Sequence, residues 1–305
     1  MIIKPCFITA ALFVVCPFFF VSPSNNPANP LIQLYSLGHF FFFALLAWSL
    51  SRLPVLTRES FVLHSAFILL AIVGIGGAFE LIQPFWGRTA SWKDMGINIA
   101  GALAGLLFSS PGRTGLNPKL LKGFQALILA WFCMIFYDPV ITLYDMHQAS
   151  KQFPILSDFE TRFQHKRWSN GKIVHHLSRY GEASLLVHLD HQKQYPGTTL
   201  IHSFGNWRGY STLALSIYNP SPDPLKMFIS IRDLEHSLKR QGIGDRFDKR
   251  FEILQGWNDL LIPVADIATA PKTRMLNLGQ LSSVVIFTMN LLEPSKIYID
   301  HVRLI

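Results

Sequence analysis

The sequence predicts a two-part protein, an α-helical transmembrane bundle of about five spans followed by an all-β sandwich. Three observations carry this expectation. Half of the 305 residues are hydrophobic and only 15% are charged. Charges are sparse up to about residue 137, where apolar runs approach the length of a membrane span. Beyond about residue 150 charges become frequent, and the apolar runs shrink to strand length. The expected domains are residues 1–139 in lipid, a linker at 140–152, and an extracytoplasmic sandwich at 153–305.

A bilayer core roughly 30 Å thick needs about 20 residues of helix. Five segments qualify, at roughly 5–22, 33–51, 61–83, 94–110 and 120–138. The first, with Lys4 ahead of "CFITAALFVV", also resembles a signal peptide. The fourth is short, and its Gly101 and Gly105 would let neighbouring helices approach closely. Basic residues collect in alternate loops: Lys4, then Arg52 and Arg58, then Arg113, Lys119 and Lys122. The positive-inside bias places the N-terminus in the cytoplasm and, after an odd number of crossings, the C-terminal domain outside.

Between the third and fourth spans lies "ELIQPFWGRTASWKDMGIN", polar in an apolar setting. Glu80 and Gln83 are three residues apart and Asp94 and Asn98 four apart, so each pair occupies one helix face. His39, early in the second span, reaches the same depth. An ionisable group near the middle of a span costs about 2.5–3.5 kcal/mol, so these residues should face the bundle and find partners, with Arg88 a partner for Glu80 or Asp94. Arg88, Lys93 and Asp94 also read as loop residues beside an aromatic belt of Phe85, Trp86 and Trp92.

The order Glu80-x-x-Gln83, Arg88, Asp94-x-x-x-Asn98-x-x-Gly101, with a histidine in the preceding span, resembles the VanZ-like family of bacterial membrane proteins over about residues 33–110. Family members often carry Asp-Lys shortly before the histidine; here Tyr35 and Ser36 stand there. The resemblance implies a bacterial inner-membrane bundle and names no reaction. Glu80, His39 and Asp94 have acid–base capacity. No nucleophile setting, phosphate loop or HExxH spacing accompanies them.

The second half divides into short alternating segments, including "ASLLVHLD", "STLALSIYN", "LKMFISIRD", "SSVVIFTMN" and "KIYIDHVRLI", separated by turn signals such as "YPG" and "NPSPDP". The opening "DFE", "NWRGYSTLALSIYNPS", "ISIRD" and the closing "KIYIDHVRL" resemble the galactose-binding-like jelly rolls that include carbohydrate-binding modules. Sugar recognition needs an aromatic face and planar polar groups. Trp207 and Tyr210 are the expected faces, and Arg232 and Asp233 the hydrogen-bonding groups; Trp207 and Tyr210 read equally as core or turn residues. By the same resemblance, Glu160 and Asp300 are candidates for a structural calcium shared by the first and last strands, or for salt bridges to Arg162 or Arg303.

The net charge of +8 is scattered among acids and aromatics, which speaks against nucleic acid. The three cysteines, Cys6, Cys16 and Cys133, lie in apolar segments, so the sandwich has neither disulfide nor thiolate metal site. The expected partners are the lipid bilayer and a glycan or lipid-linked saccharide, with envelope-complex proteins besides. The expected function is recognition or handling of envelope or extracellular glycan. The alternatives are a membrane hydrolase or transferase acting through Glu80 and His39, and a non-catalytic scaffold of a polysaccharide-secretion complex.

Overall fold

In the computed structural model the described residues are 31–53, 60–86, 91–109, 113, 115–201, 205–239 and 242–305. The first apolar segment and Arg88 lie outside them. The chain divides into two compact units, with the boundary between Val140 and Ile141.

The first unit is helical: α1 (Leu31–Leu50), α2 (Phe61–Ile82), α3 (Trp92–Ser109) and the larger part of α4 (Pro118–Gln152). Ser60 caps α2, its Oγ accepting from Leu63 N. The buried residues of α2 fall every fourth position, His64, Ile68, Ile72, Gly76 and Glu80, and form one inward stripe. Helices α1 and α3 meet at backbone distance. A Cβ on Gly101 would lie 2.2 Å from Phe40 O, and one on Gly105 would lie 2.3 Å from Ala44 O. Glycine at both positions is therefore a packing requirement. Phe43, Ala47, Ile68, Ile72, Ala102 and Leu106 fill the space between α1, α2 and α3.

The expected count of five spans is not supported among the described residues. Two helices are long and apolar enough to cross a membrane, Phe61–Phe85 and Pro118–Gln152. Helix α1 carries a shorter apolar run, Leu37–Leu50, and α3 has 18 residues rich in glycine and alanine.

Helix α4 continues through Pro139 and takes in residues 140–152, the segment expected as a linker. An interior proline removes one hydrogen bond and crowds the preceding turn, roughly 3 kcal/mol. The turns beyond it are held within the second unit. Asp145 receives a two-pronged pair from Arg167, Nε at 2.8 Å and Nη2 at 3.0 Å, and Arg167 also donates to Leu156 O and Gln152 Oε1. Its side chain is 0% exposed, so each of these bonds offsets desolvation of the cation.

The second unit is an antiparallel β-sandwich. One sheet runs β2 (Lys172–Val174), β3 (Ser184–Leu189), β10 (Ser295–Leu304), β5 (Thr212–Asn219), β8 (Gly256–Pro263), with β1 (Ile155–Ser157) also on β10. The other runs β4 (Gly197–Leu200), β9 (Leu281–Phe287), β6 (Leu225–Asp233), β7 (Phe247–Ile253). Alternation places Leu185, Val187, Ile217, Ile229, Ile231, Ile286 and Ile299 between the sheets. The five alternating segments named from the sequence coincide with β3, β5, β6, β9 and β10. The opening "DFE" is not part of a strand: β1 ends at Ser157, and Phe159 turns inward with φ of 64° as a core residue.

Candidate functional site

In the helical unit four of the expected polar residues, His39, Glu80, Asp94 and Asn98, come together. His39 (1% exposed) on α1 and Asn98 (0%) on α3 are bonded, Nδ1 to Oδ1 at 2.9 Å. Glu80 ends the buried stripe of α2, and its Oε2 accepts from Ser91 N at 2.7 Å, just ahead of α3. Ser91 Oγ in turn accepts from Asp94 N. One ligating atom each from His39, Glu80 and Asp94 lies within 4.8 Å of the others. Gln83 is fully buried in the 3₁₀ turn Gln83–Trp86, and neither its amide nitrogen nor its oxygen has a hydrogen-bond partner.

In the sandwich the predicted sugar platform does not form where expected. Trp207 is 0% exposed within the core, so it offers no face to a ligand. Tyr210 is half-buried and packs edge-on against Phe153 at 5.4 Å. Asp233 is likewise fully buried. It binds Arg274 and accepts from the backbone of His236 and Asn277, fixing the short helix α5 (Leu234–Lys239) after β6. Arg274 also spans to Asp245, at 2.6 Å from Nε and 2.7 Å from Nη2. Burial would raise the Asp233 pKa, but Arg274 and the two backbone donors outweigh it and hold the carboxyl below its ordinary value. Arg274 does the same for Asp245.

Arg232 lies elsewhere, on the outer face of the four-stranded sheet. Phe228, Ser230 and Arg232 alternate with the core residues Met227, Ile229 and Ile231. The register aligns Gly197, Phe287, Phe228 and Arg250 in one row and Thr199, Val285, Ser230 and Asp248 in the next. A cleft of about 760 Å³ opens here, lined by Tyr195, Phe228, Phe287, Arg232, Arg246 and Asp248 among others. Phe228 and Phe287 are stacked at 5.4 Å, and Tyr195, 55% exposed, meets Phe287 edge-on at 5.7 Å. A Cβ on Gly197 would lie 2.1 Å from Ile286 O, so the cleft wall at β4 comes close only because this residue is glycine.

The polar side of the cleft is under-satisfied. Arg232 Nε and Ser230 Oγ are buried with no hydrogen-bond partner. Burial first, then the like charge of Arg246, lowers the Arg232 pKa from its ordinary value, while Asp248 opposes them. Arg246 is itself paired with Asp248 at 2.8 Å. The arrangement offers an apolar floor, an exposed aromatic edge, a poorly hydrated guanidinium and an acceptor-bearing rim. Sequence reasoning missed Tyr195, Phe228 and Phe287. The period of two in "LKMFISIRD" already puts Phe228 on the face of Arg232, but the register that adds Phe287 is not local information.

Glu160 and Asp300 also come together. Asp300 is fully buried; Oδ2 accepts from the backbone of Arg179 and Tyr180 at 2.6 and 3.0 Å, and Oδ1 has no hydrogen-bond partner. Glu160 Oε1 accepts from Glu182 N and Ala183 N. Gly181, with φ of 66°, makes room for this carboxylate: a Cβ there would lie 2.2 Å from Oε1. Burial, with Glu160 adding to it, raises the Asp300 pKa, while its backbone donors lower it. An orphaned buried oxygen with a second carboxylate acting on it is the type of oxygen donor set that a calcium ion takes.

No protein-family model matches the chain, and no curated protein matches its sequence. Among solved structures, an exo-beta-agarase is similar over 50% of this chain and 24% of its own length, at 12% identity and a TM-score of 0.40. The chain thus spans about a quarter of that enzyme. A family 11 carbohydrate-binding module from Clostridium thermocellum, in complex with a beta-1,3-1,4-mixed-linked tetrasaccharide, is similar over 50% of this chain and 94% of its own, at 17% identity and a TM-score of 0.37. The CBM22-1-GH10 modules of a Clostridium thermocellum xylanase, complexed with xylohexaose, are similar over 48% and 27%, at 13% identity and a TM-score of 0.33.

Proposed function

We propose that the chain is a membrane-attached glycan-recognition protein of the bacterial envelope, in which the outer face of the four-stranded sheet binds a saccharide. The observation that carries this reading is the cleft itself. Phe228 and Phe287 form a stacked apolar floor, and beside them Arg232 Nε and Ser230 Oγ are buried donors without partners. A pyranose presents C–H groups on one face and hydroxyls around its edge, so it satisfies both features at once. An arginine short of water gains more from a ligand oxygen than a fully hydrated one.

The helical unit supplies attachment. Its two long apolar helices expose Val62, Leu70, Leu81, Leu127 and Met134, side chains suited to lipid. The VanZ-like order of its polar residues and the basic loops support an inner-membrane location with a cytoplasmic N-terminus and an external sandwich. Calcium at Glu160 and Asp300 plays a structural part, tying the first turn of the sandwich to its last strand.

The test is a glycan array probed with residues 141–305. Binding to a defined set of glycans, lost on Phe287→Ala and retained on Tyr210→Ala, is the expected result. A protein that stays folded yet binds no glycan, and instead retains an envelope protein, favours the scaffold reading.

A further inference from the structure

We propose that the helical unit holds one first-row divalent metal ion, zinc or manganese, on His39, Glu80 and Asp94. The three residues come from different helices, yet one ligating atom from each lies within 4.8 Å of the others. Three atoms no more than 4.8 Å apart lie at most about 2.8 Å from a common centre, so closing to metal bonds of about 2.0–2.2 Å needs each to move by less than about an ångström. One imidazole and two carboxylates form a mixed nitrogen and oxygen set suited to zinc or manganese, and the two carboxylates balance the charge of a divalent ion in a poorly hydrated site.

The surroundings are those of a metal site. Asn98 Oδ1 can only accept, so in the 2.9 Å contact His39 Nδ1 is the donor, and ligation would fall to Nε2. Ser91 N holds Glu80 Oε2 at 2.7 Å and so fixes that carboxylate. Gln83, three residues beyond Glu80, is also fully buried, with oxygen and nitrogen both lacking hydrogen-bond partners, a costly state in the same turn of the chain. Gly76 lets α2 come close enough for this: a Cβ there would lie 2.9 Å from Asn98 Nδ2.

The site belongs to the first unit, and its existence is independent of glycan binding by the second. The test uses the full chain in detergent micelles, stripped with chelator, dialysed, and then equilibrated separately with zinc and manganese. Metal content by mass spectrometry should approach one equivalent for one of these ions. Cobalt should give a visible absorption band that zinc displaces. His39→Ala and Asp94→Asn should each weaken binding at least 10-fold, with helicity unchanged by circular dichroism, and Asn98→Ala by about 10- to 100-fold. If a ligand variant does not fold, the wild-type protein decides alone. Less than a fifth of an equivalent of either metal, with no cobalt band, overturns the proposal, as does equal retention by a folded His39→Ala. Glycan binding measured on the stripped protein reports on the sandwich separately.

Discussion

Replacing Arg274 by methionine keeps the aliphatic stem and removes a guanidinium that serves two carboxylates. Asp233 is fully buried, Asp245 nearly so, and the Arg274 side chain is 17% exposed. Breaking a buried ion pair costs about 3–5 kcal/mol, and the partial exposure of Arg274 places this case near 3 kcal/mol. That is a large share of the roughly 5–15 kcal/mol that stabilises a typical domain. The pH dependence is more diagnostic than the size. In the wild type both carboxyl pKa values lie below their unfolded values, so their contribution is complete above about pH 4 and is lost as the pH falls through the depressed values. In the variant, burial of Asp233 is no longer outweighed and its folded pKa rises. The penalty is then largest near neutrality and shrinks as protonation relieves it. Urea denaturation of residues 141–305 at pH 7, 5.5 and 4 measures this. A difference below about 1 kcal/mol at pH 7, or one that is the same at pH 4 and pH 7, refutes the reasoning.

Gly101→Val would drive a side chain into the Phe40 carbonyl, so the detergent-solubilised full chain should lose its monodisperse elution and several degrees of melting temperature. Gly123→Ala, where a Cβ meets nothing within 4 Å, should leave both unchanged or raise the melting point slightly. Calcium at about 100 times its dissociation constant should stabilise residues 141–305 by about 2.7 kcal/mol in thermal unfolding. Asp300→Asn should abolish that response, and a wild-type midpoint indifferent to calcium contradicts the proposed site.

The helices were legible as long apolar runs and the strands by their period of two, as in "LKMFISIRD". Which face of the uniformly apolar α2 turns inward, His64, Ile68, Ile72, Gly76 and Glu80, was not. Spacing places Glu80 with Gln83 and Asp94 with Asn98 on one helix face each, whereas the approach of His39, Glu80 and Asp94 from three helices is a property of the fold. Span number was not legible either. Helix α3 gains its place by glycine-mediated backbone contact with α1 rather than by a long apolar run, and hydropathy does not weigh such contacts. The sugar platform failed for a related reason. Trp207 sits in a loop whose backbone N donates to Leu278 O, and that long-range contact draws the ring into the core. Asp233 follows Arg232 directly, and the period of two already sends it to the inner face while Arg232 faces the cleft. The ion-pair network that Asp233 enters there depends on Arg274, 41 residues away, which no local pattern supplies.

The most direct measurement is a calorimetric titration of the best array glycan into residues 141–305. It compares wild type with Phe228→Ala, Phe287→Ala and Arg232→Ala, and with Trp257→Ala on the opposite sheet. An aromatic contact contributes about 0.5–1.5 kcal/mol beyond its buried area, so each phenylalanine variant should weaken binding about 10-fold or more. Arg232→Ala should do at least as much, and Trp257→Ala should leave affinity unchanged. Undiminished binding in the three cleft variants, or binding lost only with Trp257, contradicts the placement of the site.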